Sequence, residues 1–210
     1  MLPAVILAAG DSTRMGSPKA LLASPDGRPF VASIVRALAA ADISDIVVVS
    51  GRDHDRVAEA LVRDAPPVHP RVVRNTDPSR GQLSSLWIGM DSAVTADTTG
   101  LMVTLVDVPL LSPGTIRQVI DAWRRTRACI VRPARGTRHG HPVIFGRALF
   151  DELRAAPLEE GAKVVVRAHA HEIVDVPVDD EGALTDVDTP ADYASLRGQR
   201  GGSMDRKSSA

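Results

Sequence analysis

The chain has 210 residues, 44% apolar and 24% charged, with 25 basic against 26 acidic side chains and a formal net charge of −1. That balance is an ordinary globular one and leaves no global charge to draw nucleic acid or an acidic membrane, while 3% aromatic residues argue against the stacking platforms of single-strand binders. One cysteine, Cys129, excludes an internal disulfide framework and a cysteine-clustered zinc site and suits a reducing, cytoplasmic setting.

No apolar run nears the roughly 20 residues needed to cross a bilayer. The opening run Met1 to Ala9 lacks a preceding basic segment and is cut short by Gly10, Asp11 and Arg14, so it reads as a buried strand and not a leader. Val5-Ile6-Leu7 is the first predicted strand. A helix near Arg28 to Ala41 follows, with Val31, Ile34, Val35 and Leu38 on one face. Ile46 to Val49 is a strand, and Asp53 is expected to cap a helix near Asp55 to Arg63. Val72-Val73 is a third strand, with a helix near Leu83 to Val94. Leu101 to Val106 is a fourth, with a helix from about Pro113 to Arg125.

Beyond Cys129 the pattern loosens. Strands are expected near Cys129 to Arg132, Val143 to Phe145 and Ile173 to Val176. Helical stretches are expected near Arg147 to Ala155, Gly161 to Ala168 and from Pro190. Residues 1–197 read as one domain. The remaining 198–210 lack apolar periodicity and read as a disordered tail.

The strands are apolar throughout, as strands buried on both faces are, and helices separate them. The expected architecture is a three-layer, doubly wound α/β domain with a mainly parallel sheet. Ligands of such sheets bind beyond the carboxyl ends of the strands. The loops after Leu7, Val49, Val73 and Val106 are therefore where a site belongs.

The first of these loops runs Leu7-Ala8-Ala9-Gly10-Asp11-Ser12-Thr13-Arg14-Met15-Gly16-Ser17-Pro18-Lys19. Small residues let backbone N–H groups approach an anion. Arg14 and Lys19 add a fork-shaped and a compact positive charge. The segment is neither a GxxxxGK[ST] phosphate loop nor a GxGxxG dinucleotide fingerprint, which disfavours a redox Rossmann protein. After the third predicted strand, Asn75 to Leu86 places Gly81, Gln82, Ser84 and Ser85 at a helix start. These groups either read a nucleobase edge or cap the helix. Asp107 leaves an apolar strand at its carboxyl end, where an unpaired buried acid is costly; it faces solvent or a cation. Leu184 to Tyr193 carries Asp186 and Asp188 before a helix start at Thr189, Pro190 and Asp192.

The string LAAGDSTRMGSPKALL resembles the amino-terminal signature of nucleotidyltransferases with a MobA-like fold, and within them the molybdenum cofactor cytidylyltransferases. The resemblance extends over about residues 3 to 196. It implies the Rossmann-type fold of nucleotide-diphospho-sugar transferases and a cytoplasmic enzyme. Leu7, Ala8, Ala9 and Gly10 would contact the nucleotide, and Arg14 and Lys19 would grip its phosphates. The element around Gly81 to Leu86 is similar to a nucleotide-contacting G-x-S-S-L stretch, so Asn75, Gln82 and Ser84 are expected on the base or ribose. By the same resemblance Asp107 and Asp188 would hold Mg²⁺, Asp107 sharing in catalysis with Arg14 and Lys19. His141 and Arg138, within a GxxGHPVxF-like stretch, would face the acceptor. The implied reaction moves CMP from CTP, tilted over GTP by LAAG in place of LAGG, to molybdopterin cofactor. A molybdoenzyme or its chaperone is an implied partner. The stretch Leu158 to Lys163 departs from the family's GDxGAR: the aspartate is missing and Lys163 replaces arginine, which cannot be a bidentate substitution. Two alternatives stay open: a GTP or sugar-phosphate enzyme of the same fold, and a non-catalytic nucleotide-binding module.

Overall fold

The structure is a computed structural model and describes residues 1–10, 15–65 and 68–198. In chain order, β1 (Ala4–Ala8), α1 (Phe30–Ala40), β2 (Ile46–Ser50), α2 (His54–Asp64), β3 (Arg71–Arg74), α3 (Gln82–Ala93), β4 (Gly100–Leu105) and α4 (Pro113–Thr126) build the amino-terminal half. β5 (Ile130–Arg135), β6 (Arg138–His139), β7 (Val143–Gly146), α5 (Phe150–Ala155), α6 (Lys163–Ala168), β8 (Ile173–Pro177) and α7 (Pro190–Gly198) complete it. The eight strands form one sheet in the order β3-β2-β1-β4-β7-β5-β6, with β8 also on β5. β3, β2, β1 and β4 are parallel neighbours, β7 is antiparallel to both β4 and β5, and β8 is parallel to β5.

Alternation along the central strands explains the layers. Ala4 and Ile6 of β1, Ile46 and Val48 of β2, and Met102 of β4 share one core with α1, α2 and α4. Val5, Leu7, Val47, Val49, Leu101 and Val103 point the other way and pack under α3, α5 and α6. Both faces of each central strand are dry, which is why the sequence shows continuous apolar runs and no polar/apolar alternation. α3 approaches β1 so closely that a Cβ at Gly89 would stand 2.5 Å from Val5 Cγ1.

Three sequence expectations need correction. β3 is half exposed, because it is a sheet edge and not a doubly covered strand. Asp53 precedes α2 without capping it; its carboxylate is 2.7 Å from Arg56 Nη1 instead. β6 has only two residues and no apolar signal, so nothing in the sequence marks it. The expected tail lies outside the described residues, apart from Gly198. Among the described residues no helix is long and apolar enough to cross a membrane.

Candidate active site

Loops at the carboxyl ends of β1, β2, β3 and β4 enclose a cavity of about 320 Å³, within the size range of small-ligand sites. Its wall includes Leu7, Ala8, Ala9, Gly10 and Lys19 from the first loop, Gly51 to Asp53 after β2, Pro78, Gly81, Gln82 and Ser85 around the start of α3, and Asp107 with Asp188 opposite. The first two loops cross tightly: a Cβ on Gly51 would lie 2.6 Å from the Ala9 carbonyl oxygen, so only glycine fits there. Gly81 has φ +93°, a left-handed conformation that bends the chain out of the turn Pro78–Arg80 into α3.

Lys19 is the electrostatic centre. It opens a short 3-10 turn, Lys19–Leu21, and is mostly buried. Its Nζ lies 2.5 Å from Asp188 Oδ1 and 3.5 Å from Asp107 Oδ2. Residues 169 and 88 positions from Lys19 in the chain thus converge on the first loop. The backbone arranges this, since Val187 N–H donates to the Asp107 carbonyl at 2.8 Å and sets Asp188 beside Asp107. Thr189 and Asp192 then close a reciprocal cap on α7. Asp192 Oδ2 accepts from Thr189 N at 2.8 Å, and Asp192 N–H donates to Thr189 Oγ1 at 3.2 Å. Burial pushes the Asp107 carboxyl above its usual range; Lys19 opposes this, and Asp186 and Asp188 reinforce it. Asp107 Oδ1 is buried with no hydrogen-bond partner among the described residues. Two carboxylates on one ammonium, with an oxygen left over, form an oxygen donor set suited to a hard divalent cation.

The remaining expected residues divide. Gln82 lines the cavity. Asn75 does not: its Nδ2 donates to Ser84 Oγ at 3.0 Å and Ser85 Oγ at 2.9 Å, and its Oδ1 accepts from Asp77 N–H at 2.9 Å. Its whole amide braces the loop from beneath. Ser84 is likewise buried and donates to the Gly81 carbonyl at 2.7 Å, so it neither lines the cavity nor accepts as an N-cap. Its neighbour Ser85 takes the place on the wall, one position further round the helix. Arg14 falls outside the described residues. Gly51, Arg52 and Asp53 were missed as site residues, although the strand-end rule pointed to the loop after Val49.

The expected acceptor residues stand outside the cavity wall. Arg138 is 2.8 Å from Glu181 Oε2 and donates to the Leu184 carbonyl at 2.9 Å, while Arg135 holds the other Glu181 oxygen. The two arginines clip the β5–β6 hairpin to residues 181–184. His141 donates through Nδ1 toward the Val103 carbonyl at 3.4 Å, and burial lowers its pKa, which keeps the imidazole neutral. Its backbone N–H donates to the Ala183 carbonyl at 2.9 Å. Gly140 and Gly182 permit this closeness, because a Cβ on either would collide with the carbonyl of Ala183 or Leu110.

A 198-residue stretch is 28% identical to a probable molybdenum cofactor guanylyltransferase of Mycolicibacterium paratuberculosis, covering 93% of this chain and 94% of that one. The bifunctional protein GlmU of Rhizobium etli is 36% identical over 168 residues, 79% of this chain but only 36% of the relative, so the chain spans about a third of that protein's length. Among solved structures, Rv0371c of Mycobacterium tuberculosis H37Rv is 30% identical with a TM-score of 0.77, covering 94% of this chain and 97% of its own; it has also been solved in complex with manganese. The description "MobA-like NTP transferase domain" matches residues 4–173. A cavity of about 320 Å³ at the strand ends, walled by the LAAG loop and two convergent aspartates, thus sits in a chain that belongs to the MobA-like NTP transferase family.

Proposed function

We propose that the chain transfers CMP from CTP to the terminal phosphate of molybdopterin cofactor with Mg²⁺ and releases pyrophosphate. The observation that carries the reading is Lys19 Nζ lying between Asp107 and Asp188 at the mouth of the first loop. The two acids carry more negative charge than Lys19 offsets, so a triphosphate needs a cation to enter beside them. The buried, unpartnered Asp107 Oδ1 and the exposed Asp188 would hold it. Bound there, Mg²⁺ would neutralise phosphate charge and polarise the reacting phosphoryl oxygens.

The backbone of Ala8 to Gly10 would hold the nucleotide, and Lys19 would turn from the carboxylates to the phosphates. An oxygen of the acceptor phosphate attacks the α-phosphorus. The α-phosphorus–oxygen bond to pyrophosphate breaks, and pyrophosphate departs with the electron pair. The nucleophile is already an anion, so no strong base is required, and catalysis is placement plus charge stabilisation. The choice of CTP rests on Ala9 in LAAG. The second reading, GTP, is favoured by the relative named a guanylyltransferase at 28% identity.

Pyrophosphate release from CTP, GTP, ATP and UTP tests the proposal, with molybdopterin or a sugar phosphate as acceptor and with Mg²⁺ added or chelated. Release from CTP with molybdopterin and Mg²⁺ supports it. Release from GTP alone transfers it to the second reading. Release only with a sugar phosphate replaces the acceptor, and release undiminished by chelation removes the cation. Nucleotide binding without release in any combination would leave only a binding module.

A further inference from the structure

The rim of the sheet opposite the cavity carries a second group of donor atoms. β5 is parallel to β4, each being antiparallel to β7 between them. The start of β5 therefore lies a strand length from Asp107, roughly 20 Å at about 3.3 Å per residue. β5 and β8 begin in register, Ile130 opposite Ile173, so the residues just before them, Cys129 and Glu172, emerge side by side. Cys129 Sγ lies 3.7 Å from the Glu172 carbonyl oxygen. The 3-10 turn Ala170–Glu172 folds His169 back over the same point, its carbonyl accepting from Glu172 N–H at 2.9 Å. His169 Nδ1 is 2.8 Å from Glu172 Oε1, and Nε2 is 2.8 Å from Glu152 Oε2 on α5. The thiol, an imidazole nitrogen and a carboxylate oxygen of Cys129, His169 and Glu172 all lie within 4.8 Å of one another.

We propose that Cys129, His169 and Glu172 bind a zinc-class divalent ion, with Glu152 orienting His169 from behind. Thiolate, imidazole and carboxylate are the zinc ligand types, and bonds of about 2.0 to 2.3 Å set ligands on one ion roughly 3 to 4 Å apart. The exposed Glu172 side chain has the freedom to close the remaining gap. An imidazole with one nitrogen on the ion and the other N–H on a carboxylate is the usual arrangement of a metal-bound histidine. On binding, the Cys129 thiol and the His169 Nδ1 position each give up any proton to solvent, so the ion meets a thiolate and a lone pair. Sulfur and nitrogen donors select zinc over magnesium, whereas the Asp107–Asp188 site offers oxygen only. The two rims would thus sort different metals. The competing account is a histidine clamped between two glutamates, which explains Glu152 and Glu172 and leaves Cys129 only a weak hydrogen bond to the Glu172 carbonyl.

Cobalt titration of the metal-stripped full chain in excess Mg²⁺ separates these accounts. Cys129 is the chain's single cysteine, so a thiolate-to-cobalt charge-transfer band reports this site alone. The band should saturate at one cobalt per chain and be erased by zinc. It should vanish in Cys129→Ser, persist in Asp107→Ala, and require roughly tenfold more cobalt in Glu152→Gln. Zinc should raise the melting temperature of the wild type and not of Cys129→Ser. Absence of the band, a band unaltered in His169→Gln, or one cobalt per two chains would each overturn the proposal; nucleotidyl transfer by Cys129→Ser should equal wild type.

Discussion

Lys19 and Asp107 form an ion pair in which the burial of the acid works against stability at neutral pH. Burial raises the Asp107 carboxyl pKa, so the folded state binds its proton more tightly than the unfolded chain does. The contribution of this group to stability is therefore greatest below the ordinary value near 3.8 and declines as pH rises through the raised folded value. Asp107→Asn should thus reduce turnover roughly a hundredfold or more while the melting temperature at neutral pH stays level or rises. Turnover like wild type would remove Asp107 from the reaction. Lys19→Ala should weaken triphosphate binding and turnover together, again by roughly a hundredfold, as measured by nucleotide titration and initial rates; unchanged kinetics would dismiss the cradle. These residues were legible because each lies in or beside a string whose chemistry is local: a glycine-containing turn with a lysine, or an acid ending an apolar run. Asn75 shows the limit. An amide near a predicted loop looks like a base reader, and only the fold reveals that Ser84, Ser85 and Asp77 consume its hydrogen bonds.

At the scale of elements, residues 180–188 act as a strap between the hairpin, α4 and the site. Asp180 Oδ2 accepts from Thr115 Oγ1 at 2.6 Å and Ser112 N–H at 3.2 Å, and its Oδ1 accepts from Gly182 N–H at 3.0 Å. Burial pushes this carboxyl up, but the hydrogen bonds from Thr115, Ser112 and Gly182 prevail and hold it below its ordinary value. Its stabilisation is accordingly complete above about pH 3.8 and is lost as pH falls through the lower folded value. Asp180→Asn should lower the melting temperature at neutral pH and flatten its acid-side decline, as scanning calorimetry across pH would register. Gly89 governs another junction. With Val5 Cγ1 at 2.5 Å from any added Cβ, Gly89→Ala should cost about 1 to 3 kcal/mol in denaturant unfolding by separating α3 from β1. The strap was not legible, because it has little regular structure and its contacts, side-chain and backbone alike, join residues distant in the chain. The helices and central strands were legible, since apolar periodicity is written into neighbouring positions.

Across the whole molecule, the doubly wound frame sets two rims with different chemistry. The carboxyl rim gathers Lys19, Asp107 and Asp188; the amino rim gathers Cys129, His169 and Glu172. For Lys19 and Asp107 the first was foreseeable from strand order and ligand crevice together, whereas Asp188 was expected there only through the family resemblance. The second was not, because its members share no motif and meet only through the parallel pairing of β5 with β8. The contact of Lys19 with both aspartates has a kinetic corollary. A lysine already engaged by two acids gives a bare polyanion little to hold, so the protein should bind chelated nucleotide in preference to free phosphate. Product inhibition should follow the same rule: pyrophosphate should compete with the donor when Mg²⁺ accompanies it and barely at all once the metal is sequestered.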